Sequence, residues 1–323
     1  MMDRNRPKQK NTGKEDEIIA WLLEGDPAIV YQAHRDLLGT DQLTLKYLQR
    51  YIQNVGWGAR FLAEQKDDFH WGRGFYQPKW TSTHYTLLDL KNLEISPDIS
   101  QVHRSISKIL AEEKGSDGGL NPAKTVKESD VCINGMFLNY ATYFGAEESE
   151  LESIVDFIIS QRMDDGGFNC YFNRFGARHG SLHSTLSICE GIREYCINGY
   201  KYRLTELLEC ESTSQEFILR HQLYKSDRTD EVINKQFLML SYPSRWRFDI
   251  LKALEYFRIA DSGFDDRMVP ALKVLLKKRR KDGSWPLQAR HTGKTHFEME
   301  KPGNSSRWNT LRALRVLSYF DLL

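Results

Sequence analysis

The feature that most constrains this chain is a unit repeated along it: an acidic, mostly glycine-bearing turn, an irregular stretch, and then an apolar helix-forming segment. Asp67-Asp68-Phe69-His70-Trp71-Gly72 leads into WTSTHYTLLDL, and Asp117-Gly118-Gly119-Leu120 leads into SDVCINGMFLNY. Asp164-Asp165-Gly166-Gly167-Phe168 leads into SLHSTLSICEGI, and Asp282-Gly283-Ser284-Trp285 into SRWNTLRALRVL. A fifth segment, SRWRFDILKALEYF at Ser244 to Phe257, keeps the helix and lacks the glycine turn. About five copies at a spacing of roughly 50 to 65 residues make a period longer than most solenoid repeats, and it excludes a single-sheet fold.

Each unit predicts two helices. The one before the turn, such as LESIVDFIISQRM, has apolar residues at three and four spacing. The one after it is less polar, as TLLDL, INGMFL and TLSIC show. A helix apolar nearly all round is buried, whereas an amphipathic one faces solvent, so the units predict an inner and an outer helical layer. No period-2 run with turn punctuation stands out, and strand content should be very low. From Glu15, EDEIIAWLLEGDPAIVYQAHRDLLG reads as two short helices broken at Gly25-Asp26-Pro27. Similar units can share one continuous core, so residues 16–323 are expected to form a single domain behind a disordered tail, residues 1–15. Hydrophobic residues at 40% are ample for that core. The polar start, MMDRNRPKQKNTGKED, lacks the apolar centre of a signal peptide. No apolar run approaches the roughly 18 residues of a membrane span, and a cytoplasmic protein is expected.

A net charge of +1 gives no whole-molecule attraction to nucleic acid or an anionic membrane. The five cysteines, Cys132, Cys170, Cys189, Cys196 and Cys210, are odd in number and form no CxxC pair, which argues against a disulfide framework. Plain buried thiols are the expectation for all but Cys132.

Aligning the inner helices on their apolar pattern puts His84, Cys132, His183, Phe248 and Trp308 at one level, with Ser82, Asp130, Ser181, Trp246 and Ser306 two residues earlier. Asp130, Cys132 and His183 would then point from helix N-termini into one mouth. An acid, a thiolate and an imidazole make a three-ligand zinc set with the fourth position open, and zinc would keep Cys132 deprotonated. The plainer reading makes Cys132 a small buried hydrophobe, Asp130 an N-cap and His183 a satisfied polar residue. His84 reads as an extra ligand, a general base or a hydrogen-bonding wall residue, and Asp249 as a carboxylate near the cavity. Arg245 and Arg307 each precede a tryptophan, so they could hold an anion beside Trp246 and Trp308. Those indoles, with Trp80, Tyr85 and Phe248, would supply the aromatic wall. His291, His296, Glu298 and Glu300 fall in a long stretch before the last helix, readable as a lid, a second polar cluster or a solvated loop.

The turns and paired helices resemble the α/α-toroid superfamily of protein prenyltransferase β subunits and squalene cyclases, from about residue 55 onward. Within it the chain looks most like the prenyltransferase or squalene-oxidase repeat proteins. The resemblance implies a double barrel of helices around an apolar cavity. Lys124-x-x-Lys127-x-x-Asp130-x-Cys132, followed one repeat later by His183, is similar to the basic, aspartate, cysteine and histidine series of prenyltransferase β subunits. It implies Lys124 and Lys127 as diphosphate contacts and Asp130, Cys132 and His183 as zinc ligands. Two positions depart: Ile133 stands where the family has tyrosine, and the first basic residue is lysine, a point charge without arginine's fork. The D-x-D-D acid of squalene cyclases is missing, which disfavours protonation-initiated cyclisation. The expectation is therefore an all-α toroid with zinc at the rim of an aromatic-lined cavity, acting on an isoprenoid or other hydrophobic substrate in prenyltransferase-like fashion. A non-catalytic lipid- or peptide-binding toroid remains open, as does a metal-free terpene cyclase or lyase using Asp249 or His84. A second subunit is neither implied nor excluded.

Overall fold

The computed structural model describes residues 12–123 and 125–323. It is built from α1 (Thr12–Leu23), α2 (Pro27–Asp36), α3 (Gln42–Ile52), α4 (Gly56–Ala63), α5 (Thr83–Asn92), α6 (Ser100–Glu112) and α7 (Val131–Tyr143). There follow α8 (Glu148–Ser160), the single turn α9 (Phe172–Phe175), α10 (Leu182–Ile197), α11 (Leu204–Arg220), α12 (Ile250–Ile259), α13 (Val269–Lys277) and α14 (Arg307–Tyr319). The described strands are two residues each, β1 (Trp285–Pro286) and β2 (Ser305–Ser306), paired antiparallel with Trp285 opposite Ser306. Helix α1 begins inside the stretch expected as a tail; residues 1–11 lie outside the described residues.

Helices α5, α7, α10, α12, α14 and α2 pack each against the next. Gln32 Nε2 of α2 donates to the Asn92 carbonyl that ends α5 at 3.0 Å, closing the ring. The architecture is that of the α/α toroid. The inner helices are buried almost all round, with every residue from Thr83 to Leu90 covered in α5. The outer helices bury one stripe: in α6 it is Val102, Ser105, Ile106, Ile109 and Leu110, the three and four spacing of an amphipathic helix. The pair α1–α2, ahead of the five recognised copies, completes six inner helices.

The repeat turn has one physical job in four copies. Asp68, Asp117, Asp165 and Asp282 each accept a hydrogen bond from the N–H two residues on, at 3.0 to 3.3 Å, as in an Asx turn. Gly118, Gly166 and Gly283 take φ between 85° and 88°, which a side chain would resist. The apolar residue that follows is then tied to the inner helix. The N–H groups of Trp71, Leu120, Phe168 and Trp285 donate to Thr83, Asn134, Thr185 and Thr310 side chains at 2.8 to 3.0 Å. The four inner helices tied in this way therefore start at the same end of the ring, and α12 starts there too, with the Phe248 N–H ahead of it donating to His183 in the first turn of α10. The long connections 64–82, 113–130, 161–181, 221–249 and 278–306 gather there as a mouth.

The middle of the ring corrects the expectation of an apolar cavity. Arg245 pairs with Asp89 at 2.9 Å, Lys91 with Glu194 at 2.8 Å, Lys252 with Glu190 at 3.0 Å, and Arg315 with Asp36 at 3.0 Å. Glu255 binds both Arg312 and Arg315. All of these groups but Asp36 and Asp89 line a cavity of about 110 Å³, well under the roughly 300 Å³ or more that a drug-sized ligand occupies. An isoprenoid chain laid along the axis would meet desolvated charges instead of hydrocarbon.

Helices α7 and α10 make the tightest crossing of the ring, through glycine. A Cβ on Gly135 would lie 2.7 Å from the Ser187 carbonyl oxygen, and one on Gly191 would lie 2.4 Å from the Gly135 carbonyl oxygen. Gly191→Val should lower stability by about 2 kcal/mol or more, read as a drop in the urea midpoint. An unchanged midpoint would mean that the helices do not approach this closely.

Candidate functional site at the mouth of the ring

Asp130 is the N-cap of α7, its Oδ1 accepting from Ile133 N–H at 3.1 Å, and Cys132 stands in the first turn. The third member of the cluster is Cys170, on the chain just past the third repeat turn. Ligand atoms of Asp130, Cys132 and Cys170 all lie within 4.8 Å of one another. The two cysteines are joined as a disulfide here, which corrects the reading of Cys170 as a plain thiol; Cys189, Cys196 and Cys210 are free. Ser184 Oγ sits 3.1 Å from Cys132 Sγ and 3.3 Å from Cys170 Sγ, and Cys132 N–H donates to Cys170 Sγ at 3.3 Å. Arg174 pairs with Asp130 Oδ2 at 3.4 Å. Burial pushes the Asp130 carboxyl above its ordinary pKa, against the Ile133 N–H and Arg174.

His183 is not part of this cluster, which corrects the expected ligand set. The first turn of α10 aims its ring toward α12, where Nδ1 accepts the Phe248 N–H at 2.8 Å. The ring packs against Phe237 at 5.1 Å and Trp246 at 5.0 Å. Its Nδ1 lone pair is thus taken by the start of α12, and a position aligned by repeat level faces a different neighbour.

A second group forms around Trp80. The Arg245 guanidinium lies 5.0 Å from the Trp80 ring and 6.0 Å from Tyr85, and the His291 ring lies 4.2 Å from Trp80. Lys79 Nζ is 5.0 Å from both Trp80 and Trp246, a lysine between two indoles that the sequence did not single out. The stretch carrying His291 to Glu300 does lie over the mouth. Trp80 Nε1 donates to the Thr292 carbonyl at 2.6 Å, and His296 Nε2 lies 2.9 Å from Thr86 Oγ1.

The other expected residues are placed as follows. His84 is fully buried beside Phe75, Tyr76 and Tyr85, with Nδ1 3.2 Å from the Tyr140 hydroxyl and Nε2 without a partner. Asp249 caps α12 through Lys252 N–H at 2.9 Å and accepts from Ser241 Oγ at 2.9 Å. Phe248 packs into the core against Phe237. Trp308 lies between Tyr242 and Trp57. Arg307 turns away from the axis, donating to the Trp21 carbonyl at 2.8 Å and lying over the Trp21 ring. Lys127 is exposed in the loop before α7, and Lys124 lies outside the described residues.

No protein-family model matches this sequence, and no curated protein matches it. Among solved structures the chain is similar to a variant of the type II terpene cyclase MstE from Scytonema, in complex with geranylgeranyl dihydroxybenzoate. The identity is 11%, the match covers 96% of this chain and 97% of that one, and the TM-score is 0.49. Among the described residues no helix is long and apolar enough to cross a membrane.

Burial holds four histidines of the mouth neutral. It lowers His84 and His291 to about 3, and His183 and His296 to about 4, from an ordinary value of 6.5. Unfolded, each would take a proton below 6.5; folded, it does not. Their contribution is complete above pH 6.5 and is lost as the pH falls toward 4 and then 3. The urea midpoint should fall between about pH 7.5 and about pH 5, and His84→Phe should flatten the fall. A wild-type midpoint constant over that range would show that these rings are not held neutral.

Proposed function

We propose that this chain is a zinc-dependent, prenyltransferase-like enzyme whose metal is held by Asp130, Cys132 and Cys170, with a hydrophobic, isoprenoid-type substrate lying across the mouth and not down the axis. The observation that carries this reading is the convergence of one carboxylate and two sulfurs, on elements from two repeats, within 4.8 Å. With the Cys132–Cys170 disulfide reduced, the donor set fits zinc: two thiolate ligands, one oxygen, and a fourth position left for substrate. The surroundings fit thiolates, since a hydroxyl and a backbone N–H already reach the sulfurs, and the start of α7 favours negative charge. Zinc bound there would lower the pKa of a coordinated thiol, alcohol or water and so supply a nucleophile at neutral pH.

The chain's own residues supply the rest. Arg174 and Lys79 bring positive charge to the side of Asp130, where an anionic leaving group would be stabilised together with the N-termini of α7 and α10. The half-buried Trp246 offers an apolar face for the hydrocarbon and suits developing positive charge on it, whereas Trp80 and Tyr85 are buried behind it. In the metal-free alternative His84 is a poor acid-base group, since burial lowers its pKa to about 3 and leaves it neutral and weakly basic.

Elemental mass spectrometry on reduced protein tests the ligand set. About one zinc per chain is expected, lost in Cys132→Ala and in Cys170→Ala and retained in His183→Ala. Zinc lost in His183→Ala but kept in Cys170→Ala would restore the set expected from the repeat alignment. No zinc in well-folded wild type would remove the metal-dependent reading.

A further inference from the structure

A pocket of about 260 Å³ lies between Tyr242, Arg245 and the loop 287–304, on the mouth but apart from the cysteine cluster. We propose that it is a binding site for a small 2-hydroxycarboxylate, whose carboxylate meets Arg245 and whose hydroxyl meets His291. This inference needs no metal and does not rest on the zinc reading.

Arg245 is a buried cation held in an unusual way. It is 4% exposed, its backbone takes φ of +52°, and Asp89 engages it through one oxygen only. Nε and Nη2 both donate to Asp89 Oδ2, at 3.3 and 2.9 Å; among the described residues Nη1 has no hydrogen-bond partner. A non-glycine residue in the left-handed region is strained, and such strain persists where the surroundings fix one side chain in place. Trp80, against the guanidinium, is part of that fixing.

His291 supplies the opposite need. Its ring is 5% exposed, and Nε2 lies 3.1 Å from the Ser244 carbonyl oxygen. A carbonyl can only accept, so Nε2 carries the proton and Nδ1 presents a lone pair. Nδ1 is buried without a partner, a costly state in a native fold unless a ligand or water supplies the donor. Among the residues lining the pocket this leaves one open donor, on Arg245, and one open acceptor, on His291, with both side chains against the same indole; the other unpartnered acceptor beside Arg245, Asp89 Oδ1, does not line it.

The remaining charges around the pocket are already engaged. Glu300 accepts from Ser306 Oγ, from Arg307 N–H at 2.7 Å and from Trp308 N–H at 3.3 Å, while Glu298 pairs with Arg290. The roof is pinned at Thr292 by Trp80 Nε1, and Gly293, at φ +109°, crosses the indole where a Cβ would lie 3.3 Å from it. A planar carboxylate suits the free edge of a guanidinium, and a charge-assisted bond there is stronger than one to a neutral acceptor. A hydroxyl on the adjacent carbon offers the donor that His291 lacks. The volume limits the ligand to metabolite size.

Calorimetric titration of the full chain with glycolate, lactate, malate and mandelate, each beside its deoxy counterpart (acetate, propionate, succinate and phenylacetate), tests this assignment. At least one hydroxy acid should bind about tenfold or more tightly than its counterpart, the discrimination expected when a buried polar group is left unpaired. His291→Phe keeps an aromatic ring against Trp80 and should erase the advantage of the hydroxyl. Thr295→Trp, at a half-buried loop position lining the pocket, should abolish binding of both classes even if the histidine variant proves unstable. Absence of binding by all four hydroxy acids, or an advantage kept in a folded His291→Phe, would overturn the proposal. Either failure would leave zinc content untouched.

Discussion

The joint between each repeat turn and its inner helix is the constraint on which the rest depends. An aspartate bends the chain, and the next apolar residue gives its N–H to a side chain near the start of the inner helix, as Phe168 does to Thr185 at 2.9 Å. That bond lies in a buried setting, where an unmet donor is expensive and the geometry is therefore specific. Because the joint recurs, the inner helices that carry it begin at one end, and their long lead-in segments must collect there. The mouth is a consequence of the repeat, and both the cysteine cluster and the group around Trp80 sit in it.

This much was legible in the sequence, because the turn chemistry is local. Asp-Gly-Gly at 117–119 and 165–167 announces itself through residue types that few other conformations favour. The contents of the ring were not legible, for the converse reason. Lys252 and Glu255 in α12, like Arg312 and Arg315 in α14, look like the solvated face of an amphipathic helix. In an inner helix both faces are covered, one by the outer layer and one by the axis, and periodicity cannot say which charges face inward. Only the pairing settles it. Burial would raise the Glu255 pKa, yet Arg312, Arg315 and Arg258 more than offset it and hold it at about 2. A carboxylate so placed belongs to the scaffold, and removing either arginine would leave a buried charge short of a partner.

The cluster at α7 was half legible. Asp130 and Cys132 were found because they share one helix start, where spacing converts directly into proximity. His183 was chosen by repeat level, which fixes height along the axis but not the direction of the side chain. Rotation about the helix decides between neighbours on either side, and His183 turned toward Phe248. Cys170 was missed because its partner is 38 residues away, and no short spacing motif encodes that approach. The available signal was its place two residues after Phe168, on the segment that the repeat joint draws to the mouth.

Comparing equivalent positions shows where chemistry enters this scaffold. Carboxylates mark the starts of four inner helices: Asp26 at α2, Asp130 at α7, Asp249 at α12 and, from a loop, Glu300 at α14. At α12 and α14 the acid is occupied by backbone N–H groups and serine hydroxyls and has no sulfur beside it. The position two residues past the apolar turn residue is Arg73, Pro122 and Leu287 in the other turn-bearing copies and Cys170 in the third. A helix cap common to several repeats becomes a potential metal-binding group at one of them because two neighbouring positions changed to cysteine. The regularity supplies the geometry and the departures supply the reactivity, so residues that break the repeat at the mouth, and not those that keep it, are where function should be sought.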